Sequence, residues 1–102
     1  MANLVITYWR DIPSAISVKA GRKEEKRMLA DRFQEAIDMA ATRIGLIGTD
    51  EYLNEWRRVT RECGDDLDAE ASKEAHALEQ AYGDSRLESL VRSGGTDEGE
   101  AT

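Results

Sequence analysis

The chain has 102 residues, a formal net charge of −7 and a single cysteine, so it is expected to form one domain without an internal disulfide. Residues 1–62 hold eleven Lys/Arg against ten Asp/Glu, whereas residues 63–102 hold three against eleven. Because an acidic half repels phosphate backbones, nucleic-acid binding is not expected. No apolar run approaches the roughly twenty residues of a membrane helix, and no signal-peptide pattern is present, so we expect a cytoplasmic protein with no membrane partner.

The first two predicted elements are strands. β-branched and aromatic side chains fill residues 4–10 (LVITYWR) and favour a strand. Pro13 turns the chain within residues 11–14, and residues 15–20 (AISVKA) then alternate between apolar and polar side chains, which is typical of a half-buried strand. We therefore expect an antiparallel hairpin that ends at Gly21.

The middle of the chain is predicted to be mainly helical. Residues 22–27 (RKEEKR) are all charged, and they either begin a helix or form a solvated lead-in to one. A long helix follows from apolar residues at spacings of three and four. Thr49 is the predicted N-cap of a short helix. The apolar stripe of the long helix is Leu29, Phe33, Ala36, Ile37, Ala40 and Ile44.

The second half of the chain adds one strand and two helices. Residues 57–63 (RRVTREC) alternate and predict a third strand, although the short helix after Thr49 could instead run on through them. A second long helix is predicted from Asp65 to Tyr82, and a last short helix begins at Ser85. The apolar stripe of the second long helix is Leu67, Ala71, Ala75, Leu78 and Tyr82.

The predicted fold is therefore α+β, in the order ββααβαα over residues 1–92. It consists of a small three-stranded antiparallel sheet that begins with a β-hairpin, and two long amphipathic helices that pack together on one face of the sheet. Residues 93–102 (SGGTDEGEAT) are acidic and Gly-rich, and they are predicted to form a disordered tail.

The residues that common catalytic and metal sites require are missing. Cys63 and His76 are the one cysteine and the one histidine, and a closed zinc site needs four ligands, so no metal is predicted. Asp65 and Asp66 are expected to raise the pKa of the Cys63 thiol. The sequence has no G-x-S-x-G and no phosphate-binding loop. We predict no cofactor and no enzymatic activity, while chemistry by carboxylates or by a site shared between subunits remains the enzyme alternative.

Aromatic and arginine residues at the end of the first strand form the main candidate binding site. Such residues are enriched at interaction surfaces, and arginines from two other segments are predicted to extend the site toward an anionic partner or ligand. The alternative is that the aromatic rings pack in the core, and Trp9 in particular either lies under a short helix or is exposed. This aromatic–arginine cluster comprises Tyr8, Trp9, Arg10, Asp11, Arg22, Arg57 and Arg58.

Four segments of the chain resemble a known family. VITYWRDIPS, GRK, DRFQEAIDMAA and GTDEYLNEWRR occur in this order, and together they resemble the small bacterial virulence factor domain family over about residues 4–60. The resemblance implies no established activity and no defined catalytic residues. It also implies an association with helical-repeat and iron–sulfur scaffold-like segments and, for stand-alone members, with one-carbon or corrinoid-linked methyl-transfer enzymes.

The sequence thus predicts a non-enzymatic interaction or accessory domain that docks on a larger intracellular protein. A first alternative is a small-anion or small-molecule binding protein, in which Arg10, Arg22, Arg57 and Arg58 converge on a carboxylate or phosphate, and which can act as a homodimer through an exposed sheet edge. A second alternative, implied by the family resemblance, is an accessory subunit of a one-carbon or corrinoid methyl-transfer system.

Overall fold

A four-stranded antiparallel sheet and four helices make up the part of the chain that the computed structural model describes, residues 2–96. The elements follow the order βββααβαα. The strands are β1 (Ala2–Trp9), β2 (Ile12–Ala20), β3 (Lys23–Met28) and β4 (Trp56–Cys63), and the helices are α1 (Asp31–Arg43), α2 (Asp50–Asn54), α3 (Leu67–Ala81) and α4 (Asp84–Arg92).

The sheet has the strand order β3-β2-β1-β4, so the predictions of three strands and of the order ββααβαα are wrong. The additional strand is β3, whose charged residues (KEEKRM) pair in register with β2. A charged segment can form this strand because it lies at the sheet edge, where side chains reach water and charge discourages pairing with other chains. On the covered side of β3, Arg27 bonds to Asp68 of α3.

Alternate residues of β1 and β2 form the strand side of the core. Leu4, Ile6, Ile16 and Val18 are buried beneath helices α1 and α3, which both contact β2. The predicted strand at residues 57–63 is confirmed as β4, and the predicted cap of α2 is confirmed by a hydrogen bond from the Tyr52 amide to the Thr49 hydroxyl at 3.3 Å.

The helices pack differently from the prediction. The main helical partner of α1 is the short helix α4, whereas α3 lies mainly on β2 and β3. The two long helices meet where the start of α1 reaches the end of α3. There Arg32 donates hydrogen bonds to the carbonyls of Glu79 and Tyr82, and Phe33 packs edge-on against the Tyr82 ring. The pairing of α1 with α4 leaves a groove between them.

The other face of the sheet is open to solvent, and a depression on it is lined entirely by strand residues. At one end of the hairpin a β-bulge changes the register, because Thr7 opposes Ala15 whereas Tyr8 opposes Pro13. Residues 12–14 therefore belong to β2 and are buried, and the turn consists of Arg10 and Asp11 rather than residues 11–14.

Candidate functional site

Trp9, the central aromatic residue of the aromatic–arginine cluster, is part of the core. Its side chain is 0% exposed, and its indole Nε1 donates a hydrogen bond to the Tyr52 carbonyl at 3.0 Å. The Trp9 and Tyr52 rings also pack together, with their centroids 5.6 Å apart. Of the two alternatives that the sequence left open, the structure shows Trp9 beneath the short helix α2, where it is not accessible to a partner.

A turn formed by residues 93–96 closes over Trp9 from the other side. The Asp11 amide donates a hydrogen bond to the Gly95 carbonyl at 2.8 Å, and the Gly95 amide donates to the Leu90 carbonyl at 2.7 Å. A Cβ atom at Gly95 would lie 2.7 Å from Cζ3 of Trp9, so glycine is needed for this close approach. These four residues come from the predicted disordered tail, and residues 97–102 of that tail lie outside the described residues.

Arg10 connects the hairpin turn to two other segments. Its guanidinium donates a hydrogen bond to the Gly94 carbonyl at 3.2 Å, and its Nε lies 3.2 Å from a Glu55 carboxylate oxygen. The guanidinium also packs on the Trp9 ring. The backbone φ of Arg10 is +54°, a left-handed conformation that these contacts hold in place. The positive charge of Arg10 is therefore engaged within the fold.

Arg57 completes the part of the cluster that the structure brings together. Its Nε donates a hydrogen bond to the Arg10 carbonyl at 3.0 Å, and its guanidinium pairs with Asp11 at 3.2 Å. The same guanidinium lies over the Tyr8 ring, 4.7 Å from the centroid. Burial is the main reason that the pKa of Tyr8 is raised, and the Arg57 charge partly offsets it. Tyr8, Asp11 and Arg57 thus stabilise the hairpin turn against β4.

Arg22 and Arg58 lie apart from this group. Arg22 is in the turn after β2, at the opposite end of a nine-residue strand from Asp11, which corresponds to roughly 30 Å at the usual rise per residue. Arg58 lies opposite Thr7 and lines the depression on the open sheet face, whereas Arg57 faces the helix side. The four arginines of the predicted anion site therefore do not converge in this structure.

The neighbouring residues Arg57 and Arg58 allow a matched test of whether the contacts of Arg57 stabilise the fold. Arg57→Ala should lower the free energy of unfolding by about 1 kcal/mol, because it removes a bond to a backbone carbonyl, a half-exposed ion pair and a cation–π contact. Arg58→Ala should change it by less than about 0.5 kcal/mol. Urea unfolding of dilute protein measures both values, and equal effects would contradict the placement of Arg57 within the fold.

The two other chemically reactive residues that the sequence singled out, Cys63 and His76, lie on different elements, β4 and α3. His76 is exposed on α3, and Cys63 is half-buried at the end of β4. Burial and the neighbouring Glu70 and Asp65 charges raise the pKa of the Cys63 thiol, in the direction that the sequence predicts. Across residues 2–96, no group of three or more His, Cys, Asp or Glu side chains is arranged to hold a metal ion.

The groove between α1 and α4 is a candidate site that the sequence did not indicate. It has a volume of about 430 Å³, and a shallower depression continues it along α1 as far as Arg43. Met39, in its floor, is 55% exposed although it lies next to buried side chains. Met39 is outside the predicted apolar stripe of α1, which is why periodicity alone did not identify it. The apolar floor consists of Ala36, Met39, Leu87 and Val91.

Charged residues form the rim of the α1–α4 groove. Arg32 of α1 lies 3.8 Å from Asp84 of α4, and Glu88 and Arg92 form an ion pair within α4 at 3.7 Å. Glu35, on the α1 side, makes no ion pair with any residue in the described part of the chain. The groove therefore combines an apolar floor with a charged rim on which Glu35 has no ion-pair partner among residues 2–96.

The fold and these surfaces define a small α+β domain with an open antiparallel sheet and a groove between two helices. No helix within residues 2–96 has the length and apolar content needed to cross a bilayer. The chain belongs to the Virulence factor family, whose sequence model matches residues 7–91. This match extends past the resemblance near residue 60 and includes α3 and nearly all of α4. No curated protein and no solved structure matches the chain.

Proposed function

We propose that this protein is a non-catalytic interaction domain that docks on a larger protein by receiving an amphipathic helix of that partner in the α1–α4 groove. The main evidence for this proposal is that Met39 is exposed although it lies in the concave apolar floor of the groove. Exposed apolar surface that is bordered by charges is characteristic of docking sites, and methionine adapts readily to the shape of a partner.

The dimensions of the groove suit a helix. Between Arg32 and Arg43 the wall formed by α1 is roughly 17 Å long at 1.5 Å per residue, which accommodates about three helical turns. A partner helix with apolar residues at positions i, i+3 or i+4, and i+7 would cover the floor. Glu35 favours a Lys or Arg beside that apolar strip, because its carboxylate lacks an ion-pair partner among the described residues.

The anion-binding alternative has less support from the geometry. Arg10 and Arg57 are engaged with Glu55 and Asp11, so a ligand would have to displace contacts that hold the fold together. A role as an accessory subunit of a methyl-transfer system is compatible with the proposal, since it would specify the partner that supplies the helix.

Photo-crosslinking from the groove, followed by affinity measurement, tests the proposal. A photoreactive phenylalanine at position 39 should crosslink to one partner segment with an amphipathic helical pattern, and a synthetic peptide of that segment should bind the wild-type domain. Met39→Glu should weaken peptide binding at least about 30-fold, as expected for a central contact worth about 2 kcal/mol.

Leu53→Glu is the matched control, because Leu53 is also an exposed apolar helix residue but lies on α2. It should leave peptide binding unchanged. Both variants should keep the wild-type circular dichroism spectrum, since each replaces an exposed side chain. Equal binding by wild type and Met39→Glu, or equal loss in the Leu53→Glu variant, would contradict a docking site in the groove.

A further inference from the structure

The outer edge of β4 is the second feature of the molecule that is suited to an interaction. β4 forms one edge of the sheet and pairs on its inner side with β1. Residues 57–62 are all exposed, and no described strand pairs with their outward backbone groups. Such an edge presents a row of N–H and C=O groups that can add another strand.

The side chains of β4 alternate between the two faces of the sheet. Arg57, Val59 and Arg61 face the helix side, where Arg57 pairs with Asp11 and Arg61 pairs with Glu74 of α3 at 2.6 Å. These two positive charges are therefore compensated inside one molecule.

On the open face of the sheet, β4 carries Arg58, Thr60 and Glu62, which lie opposite Thr7, Val5 and Asn3 of β1. Neither Arg58 nor Glu62 forms an ion pair with another residue between positions 2 and 96. The uncompensated charges of the edge are thus one arginine and one glutamate, separated by four positions and centred on Thr60.

This spacing is self-complementary. When a two-fold axis normal to the sheet relates two β4 strands, the strands run antiparallel and their open faces lie on the same side of the joined sheet. Directly opposite residues then point to the same face only in registers whose centre is a residue. A register centred on Thr60 places Arg58 opposite Glu62 of the second copy, and the symmetry produces this pair twice. Opposite charges in directly facing cross-strand positions stabilise pairing.

Neighbouring registers are electrostatically worse. A register centred on Val59 places Arg57 opposite Arg61 of the second copy twice, and one centred on Arg61 places two copies of Arg61 opposite each other. Like charges in facing positions destabilise a strand pair. Neither register contains a facing pair of opposite charges, so charge favours the register centred on Thr60 over these two neighbours.

We infer that two copies of this chain associate through antiparallel pairing of their β4 strands, centred on Thr60, to form a continuous eight-stranded sheet. The interface is independent of the α1–α4 groove, so each copy keeps its groove accessible. Because a single edge-to-edge strand pair is a small interface, the dimer should be weak and its population should rise with protein concentration.

Sedimentation velocity over a concentration series reaching the millimolar range tests this inference. Wild type should shift from monomer to dimer. Arg58→Glu and Glu62→Arg should each raise the dissociation constant at least about tenfold, because two attractive pairs become two repulsive ones. The double variant Arg58→Glu/Glu62→Arg should restore dimerisation, since it re-forms both pairs with exchanged signs.

Lys26→Glu provides the control, because Lys26 is a charged residue of β3, the opposite edge of the sheet, and it should dimerise as wild type does. A wild-type chain that stays monomeric throughout the series would overturn the inference. It would also be overturned if both single charge reversals dimerised normally, if the double variant remained monomeric, or if Lys26→Glu weakened the dimer as strongly as they do.

Discussion

Replacing Trp9 with alanine should lower the free energy of unfolding by about 3–5 kcal/mol, the usual loss for truncating a fully buried large side chain. The indole lies between α2 and the C-terminal turn, bonds to the Tyr52 carbonyl and supports the guanidinium of Arg10. A domain of this size has a total stability on the order of 5–15 kcal/mol, so much of it would be lost. Trp9→Phe should cost less, because it keeps an aromatic ring and removes the N–H donor.

Urea unfolding followed by far-ultraviolet circular dichroism measures this effect without depending on tryptophan emission. Leu53→Ala is the control, because Leu53 is 64% exposed and its truncation should cost less than about 0.5 kcal/mol. A loss below about 1 kcal/mol for Trp9→Ala would contradict the burial of the indole, and would instead support the alternative of an exposed Trp9 that contacts a partner.

Gly95→Ala should lower the free energy of unfolding by about 2–3 kcal/mol through two separate effects. The first is conformational, because Gly95 has a φ of +97°, which residues with a Cβ rarely adopt. The second is steric, because the added Cβ would lie 2.7 Å from Cζ3 of Trp9 in a core that yields little. Thermal or urea unfolding measures the sum.

Gly48→Ala separates the two effects. Gly48 also has a positive φ, +81°, but nothing lies within 4 Å of the position that an added Cβ would take, so only the conformational cost of about 1–2 kcal/mol applies. The difference between the two variants reports the contact with Trp9. Equal losses in both variants would show that the C-terminal turn does not rest on the indole.

Most elements of the fold follow from local patterns in the sequence. The alternation in β2 and β4 and the apolar stripes of α1 and α3 predict the type of these elements, although β2 begins at Ile12, three residues before its predicted start at residue 15. The strand β3 was missed because its residues are nearly all charged and have low strand propensity. It forms because β2 offers a partner and the edge lets its charges reach water, and neither condition can be deduced from residues 23–28 themselves.

The aromatic–arginine cluster and the α1–α4 groove were harder to predict, because both depend on contacts between distant segments. The sequence marked Trp9 and Arg10 as candidate binding residues, whereas their partners in the structure come from Glu55 and from Gly94–Gly95 near the end of the described chain. A Gly-rich acidic segment suggests disorder, although here two glycines allow the backbone to approach a buried indole. The α1–α4 groove likewise exists because α1 packs beside α4, which periodicity within one helix cannot reveal.

In the proposed division of roles, the α1–α4 groove binds the partner, while Trp9, Arg10 and Arg57 hold the fold together. Comparing partner-peptide affinity between Met39→Glu and Arg57→Ala tests this division most directly, because both changes are on the surface and neither should unfold the domain. We expect that Met39→Glu loses at least about 30-fold in affinity and that Arg57→Ala binds as wild type does. The reverse result, with binding lost in Arg57→Ala and kept in Met39→Glu, would contradict the proposed division.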